Sequence, residues 1–216
     1  MEIVKIVSLT LLGLTTLFYF FFLSRVQIGI TKLFQRRNIL RFPFISVIIA
    51  ARNEEKNIET CLNSVLSQQY PPDRFEVIVI DDHSTDATFS VVRRLQNHYQ
   101  NLKLLSANEK THGKISALEK GIEEAKGELI VTTDADCVVH PLWLATFISH
   151  YDDTTAMIAG PVLIENKGLS FVQQFDRLEL LGLVTVAAGL IGAGLDYQYH
   201  GPGIPRNINI SWFGRS

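Results

Sequence analysis

Asp134-Ala135-Asp136 sets two carboxylates two residues apart behind an apolar stretch. Carboxylates so spaced on an extended segment can converge on one hard cation from a tight turn. Mg2+ or Mn2+ takes such oxygen ligands, and a diphosphate can complete the shell. Alone, the pattern is better read as a solvated helix cap ahead of Pro141; its place after the fourth strand of the series below reverses that reading. Asp82 follows another apolar run, where a carboxylate can accept a hydrogen bond from a nucleotide base or close an Asx turn. Ser84 and Thr85 are placed to do the capping, so Asp82 is expected to be free and exposed to ligand. Lys114, beside Gly113, can approach a phosphate as a point charge with a helix N-terminus adding donors. It can as well be a surface lysine, and the residues alone leave those two readings level. Arg52 and Glu54 can wrap a base. His83, His112 and His140 lack the spacing of a zinc site and read as loop residues. Cys61 and Cys137 have no CxxC partner and read as reduced, buried, small hydrophobic side chains.

The elements that must position these groups follow from the apolar pattern. Residues 44–51 (FISVIIAA) and 75–80 (FEVIVI) are β-branched runs, expected as strands buried on both faces. Between them a polar turn at Arg52-Asn53-Glu54-Glu55 opens a helix to about residue 69, ended by Pro71-Pro72. Thr85-Asp86 caps a helix reaching about residue 99. Further strands are expected at residues 102–105, 128–132 and 156–162, with helices at 115–125 and after Pro141. Strands alternating with helices imply right-handed crossovers and an open, mostly parallel, Rossmann-like α/β sheet with flanking helices. Ligands bind such sheets outside the carboxyl ends of the strands. The three polar clusters, Arg52/Asn53/Glu54, Asp81/Asp82 and Asp134/Asp136, all fall at such ends and define one candidate site.

Residues 6–23 carry no charge and are dominated by Leu, Ile, Val and Phe, just long enough for one membrane-spanning helix. No small-x-small cleavage site follows, which argues against a signal peptide. Arg25, Lys32, Arg36, Arg37 and Arg41 form a basic run with no acid among them. The positive-inside bias therefore directs everything after residue 25 to the cytoplasm, with the run close to anionic membrane lipid. The organisation expected is an anchor over residues 1–24, a basic linker over 25–43 and a globular domain over 44–216. A single-pass cell-membrane protein with a cytoplasmic domain follows. With 47% hydrophobic residues, 19% charged residues and a net charge of −2, the whole is globular and has no bulk charge suited to nucleic acid.

The segments SVIIAARNEE, VIVIDDHSTDAT and GKISALEKGIEEAKGELIVTTDADC resemble, in order and spacing, family 2 glycosyltransferases of the GT-A fold, over residues 44–162. This family includes synthases of the cellulose, chitin and hyaluronan type and many bacterial polysaccharide enzymes. The resemblance implies that Ala50, Arg52 and Glu54 line the base and ribose of a nucleoside diphosphate sugar. It implies that Asp82 bonds the base, usually uracil, and that Lys114 sits near the diphosphate. Asp134 would support the ribose or the metal, and Asp136 would coordinate Mg2+ or Mn2+. The implied reaction is inverting transfer to a saccharide or lipid-linked acceptor, in polysaccharide or cell-envelope glycan synthesis.

The family's catalytic base lies in a later acidic motif, and no such pair follows Asp136; Glu165, Asp176, Glu179 and Asp196 are isolated, so no base is assigned. Residues 171–180 resemble the family's helix beyond the metal motif, residues 180–195 are apolar but short for a second span, and residues 201–216 only echo the family pattern. A truncated or frameshifted product with an incomplete acceptor half is therefore expected. The alternatives are a nucleotide-sugar-binding remnant without full activity and a sugar-1-phosphate nucleotidyltransferase. The latter would want a glycine-rich loop after the first strand, and ARNEEKN has no glycine.

Overall fold

The computed structural model describes residues 2–33, 41–108, 113–151, 158, 160 and 170–193. They fall into two compact units, one of residues 1–36 and 168–201, the other of 37–167 and 202–216.

In the first unit, α1 (Glu2–Leu33) is a single helix that continues past residue 24 and takes Arg25 and Lys32 with it. At 1.5 Å per residue it is about 48 Å long, more than the ~30 Å of a bilayer's hydrocarbon core. Its hydroxyls are satisfied within the helix: Ser8 Oγ donates to the Val4 carbonyl at 2.8 Å, and Thr16 Oγ1 to that of Leu12 at 2.7 Å. That removes the main obstacle to immersing them in lipid. Leu11, Leu14, Phe18 and Phe20 are exposed, as lipid-facing side chains would be. Among the described residues this is the one helix long and apolar enough to cross a membrane. α6 (Phe171–Gly192) belongs to the same unit and packs on α1. The approach is backbone to backbone: a Cβ on Gly29 would stand 1.7 Å from the Gly189 carbonyl oxygen, and one on Gly192 2.3 Å from that of Gly29. Small residues permit such a crossing.

The second unit is an α/β sheet. β1 (Ile45–Ala51), β2 (Phe75–Asp81), β3 (Leu102–Ser106) and β4 (Leu129–Asp134) are all parallel, in the order β3-β2-β1-β4. Both faces are covered, which explains why β1 and β2 read as continuous apolar runs rather than alternating ones. Val47, Ile49, Val77, Val79 and Val131 pack under α2 (Ile58–Leu66), α3 (Thr88–Gln96) and α5 (Trp143–His150). Ile48, Ile78, Ile80 and Ile130 face α4 (Lys114–Glu123). α4 lies close because Gly121 has no side chain; a Cβ there would come within 2.4 Å of Ile48 Cγ2. Cys61 and Cys137 are buried, as expected.

Boundaries differ from expectation in an informative way. α2 starts at Ile58, not directly after the polar turn, and α3 at Thr88 rather than at Thr85-Asp86. The residues left over form two long strand-end turns. The fifth strand expected at residues 156–162, His112, Glu165, Asp196 and the stretch 201–216 lie outside the described regular structure.

Candidate functional site

The sheet order places a switch point between β1 and β4, where successive connections leave the sheet in opposite directions and open a crevice at the carboxyl ends. Register aligns those ends. Ala50 stands opposite Asp134 on one side and Ile80 on the other, and Ala51 stands opposite Asp81. The three polar clusters therefore do emerge along one edge.

Four of the expected site residues are joined in a chain of contacts. Arg52 Nη1 lies 3.7 Å from Asp82 Oδ2. The same Asp82 oxygen accepts from the Gly113 N–H at 3.0 Å. The next residue, Lys114, pairs through Nζ with Asp134 Oδ1 at 2.5 Å. Gly113 adopts φ +104°, which a residue with a side chain would resist, and so delivers its N–H to Asp82 and Lys114 to Asp134. Glu54 accepts from Asn57 Nδ2 at 2.9 Å and partly closes the turn at the start of α2. Asp136 is half-buried in the turn after β4.

Two expectations need correction. Asp82 is not exposed: it retains 3% of its accessible surface and also meets His83 Nδ1 at 3.0 Å. The reason is the parallel pairing of β1 and β2, which brings Arg52 over it while the α4 entry covers it from the other side. Nor do Ser84 and Thr85 cap α3. The N-cap is Ala87, which offers no side-chain cap; Asp86 just before it accepts from the Thr88 N–H at 3.0 Å, and Ser84 and Thr85 are turned toward the neighbouring turn.

Sequence reasoning placed Asn53 in the first polar cluster and His83 in a loop but gave neither a role; both occupy the left-handed region at φ 55° and 58°. Non-glycine residues seldom adopt it, Asn and His more readily than most. Each stands two residues beyond a strand end, and those ends are register partners. The presence of Asn in a polar turn was the available signal.

The residues around β4 suit a hard divalent cation. Asp134 and Asp136 provide two partly exposed carboxylates from one turn. Among the described residues no group of three or more His, Cys, Asp or Glu side chains gathers into a closed cage. Mg2+ needs none, since it keeps waters and takes one or two carboxylates plus substrate phosphates. The thiols nearby are not ligands. Burial, reinforced by the neighbouring Cys137 and Asp136, pushes the Cys61 thiol up to about 12, and burial also raises Cys137. Both stay protonated at neutral pH. Cys61 instead donates to the Asp134 carbonyl at 3.4 Å, bracing the strand end from behind.

Residues 46–190 match the protein-family model described as glycosyl transferase family 2. The chain is 39% identical over 118 residues to glycosyltransferase AglE of Haloferax volcanii, covering 55% of this chain and 38% of that one. It is 27% identical over 180 residues to the poly-beta-1,6-N-acetyl-D-glucosamine synthase of Staphylococcus aureus, covering 81% and 42%. Among solved structures it resembles the mannosyltransferase PcManGT of Pyrobaculum calidifontis in complex with GDP-Man and Mn2+. That match has a TM-score of 0.54 and 28% identity over 79% of this chain and 48% of the other. The chain spans less than half the length of these relatives. With this structural match, the parallel sheet and flanking helices are of the GT-A fold expected.

Proposed function

Because the chain belongs to glycosyl transferase family 2, we propose that its strand-end cleft binds a UDP-sugar and that transfer proceeds with inversion to a saccharide or lipid-linked acceptor. The setting is the cytoplasmic face of the cell membrane, with α1 as the single-pass anchor, in polysaccharide or cell-envelope glycan synthesis. The observation that carries the reading is the linked chain Arg52–Asp82–Gly113–Lys114–Asp134 along one edge of the sheet.

In this reading Ala50, Arg52 and Glu54 flank the base and ribose. Asp82 accepts a hydrogen bond from the uracil N–H once the exposed Arg52 guanidinium, which lies only 3.7 Å from Oδ2, is displaced from over it. Lys114 offers its ammonium to the diphosphate. Asp134 and Asp136 would hold Mg2+ or Mn2+, and a bound cation supplies positive charge that stabilises the departing nucleoside diphosphate. During transfer the anomeric carbon–oxygen bond to the diphosphate breaks as the acceptor oxygen bonds from the opposite face. The acceptor proton passes to a base not assigned among the residues described. The positive-inside bias of Arg25 and Lys32 supports the membrane orientation.

Titration calorimetry on the full chain in detergent, with UDP or GDP and with or without Mn2+, tests the reading. UDP is expected to bind more tightly than GDP, with Mn2+ strengthening binding at least tenfold, and Asp136→Ala is expected to abolish that Mn2+ effect. Equal UDP affinity in all four combinations of protein and metal would refute the metal role. Tighter GDP binding would refute the UDP assignment. Release of UDP from UDP-sugars with candidate acceptors then separates a transferase from a chain that only binds donor.

A further inference from the structure

The turns after β1 and β2 are tied to each other through Asn53. Its side-chain Oδ1 accepts from the Thr85 N–H at 2.8 Å and from Thr85 Oγ1 at 3.3 Å. Its own N–H donates to Ser84 Oγ at 3.0 Å. The tie continues along both turns. The Glu54 N–H donates to Thr88 Oγ1 at 2.8 Å, the Glu55 N–H to Asp86 Oδ2 at 3.1 Å, and the Ala87 N–H to Glu55 Oε2 at 3.0 Å. At its root the Asp82 N–H donates to the Ala51 carbonyl at 2.8 Å, and the Ser84 N–H to Asp81 Oδ2 at 3.3 Å.

These bonds use neither the Arg52 guanidinium nor the Asp82 carboxylate, yet they bracket both. Arg52 and Asp82 are the neighbours of the two left-handed residues, Asn53 and His83. A left-handed residue reverses the chain sharply, so the direction in which Arg52 and Asp82 leave their strands depends on Asn53 and His83 keeping that conformation. Asn53 does so while its amide pins the opposite turn. Such a pair of turns is held at one spacing before any ligand arrives, and a pre-set site avoids the ordering cost of binding.

We propose that Asn53 is a positioning residue of the donor site. By clamping the β1 turn to the β2 turn it fixes the spacing of Arg52 and Asp82 and so sets affinity for the nucleoside rather than for the diphosphate. This rests on the donor-site reading above.

Three substitutions in the full chain test it. Asn53→Gly keeps the left-handed backbone without strain and removes only the acceptor. Asn53→Asp restores an acceptor and tolerates the same backbone. Glu55→Ala opens the clamp at its other end and serves should Asn53→Gly fail to fold. With saturating Mn2+, Asn53→Gly is expected to weaken UDP binding roughly tenfold, the loss of one or two hydrogen bonds. Inorganic pyrophosphate, which engages only the β4 side, should bind as to wild type. Asn53→Asp should recover most of the loss, and Glu55→Ala should weaken UDP severalfold while sparing pyrophosphate. UDP binding unchanged by both Asn53→Gly and Glu55→Ala would overturn the inference, as would parallel losses of UDP and pyrophosphate or no recovery in Asn53→Asp. Failure of wild type to bind UDP would instead overturn the donor-site reading, and the clamp's role with it.

Discussion

The two sides of the strand-end cleft are built on different principles. On the β1–β2 side, backbone N–H groups of each turn are satisfied by side chains of the other, and the carboxylate of Asp82 is buried beneath them. On the β4 side, Asp134 and Asp136 remain partly exposed, and Lys114 and Asp134 form an ion pair whose side chains keep 43% and 26% of their accessible surface respectively. The first side is cross-tied by hydrogen bonds without ligand. The second gathers charge, two partly exposed carboxylates and one lysine. In the donor-site reading proposed above, recognition of a base needs fixed geometry, whereas binding of a metal diphosphate needs charge that can be rearranged, and the two tasks would fall to neighbouring strands.

Removing Asp82 should break that division most severely. Asp82→Ala leaves the Gly113 N–H, Arg52 and His83 without their shared partner, a loss of about 2–3 kcal/mol of stability for a charged hydrogen-bonded group. Urea unfolding should show it, with loss of UDP binding alongside. Asp82→Asn keeps an acceptor for Gly113, so it should retain most of the stability while weakening UDP roughly tenfold or more. If Asp82→Ala unfolds like wild type, the cross-tied side is not held for the reason given.

Lys114→Ala sharpens the contrast from the other side. The pair with Asp134 is half-exposed, so stability should change by less than ~1 kcal/mol. Affinity for pyrophosphate should nevertheless fall several-fold, UDP with it. A large drop in melting temperature would show instead that the ion pair is a structural strut.

The smallest effect is a pH dependence to which the clamp contributes. Partial desolvation raises the Asp86 carboxyl, but hydrogen bonds from the Thr88 side chain and N–H and from the Glu55 N–H outweigh it and hold it below the usual range. A carboxyl depressed in the folded state stabilises above its unfolded pKa, near 4, and that contribution is lost as pH falls through the lower folded value. Unfolding midpoints should therefore decline below about pH 4, and Asp86→Asn should reduce the decline. A variant with the same slope as wild type would remove Asp86 from the account.

Much of the architecture was legible before any coordinates, since continuous β-branched runs such as residues 45–51 have few other ways to be buried. Position at a strand end singled out Arg52, Asp82 and Asp134, and Lys114 by its place at a helix start. What could not be read was how those residues pair. Asp82 looked available because Ser84 and Thr85 looked like caps, but the β1–β2 register turned both toward Asn53 and put Asp82 beneath Arg52. Likewise residues 180–195 read only as an apolar stretch short for a second span, whereas Gly189 and Gly192 meet Gly29 of a helix far away in sequence.

By itself, then, the chain's order of residues determined the alternation of strands and helices, the apolar N-terminal helix and the chemical types available at each strand end. These depend on local hydrophobic period and on turn chemistry within a few residues. The tertiary structure alone decided which carboxylate is buried, which lysine it is that reaches Asp134, and that two left-handed turns lock together. Those outcomes rest on distances between residues some 20 to 30 positions apart, set by parallel register and crossover packing, which no local pattern encodes.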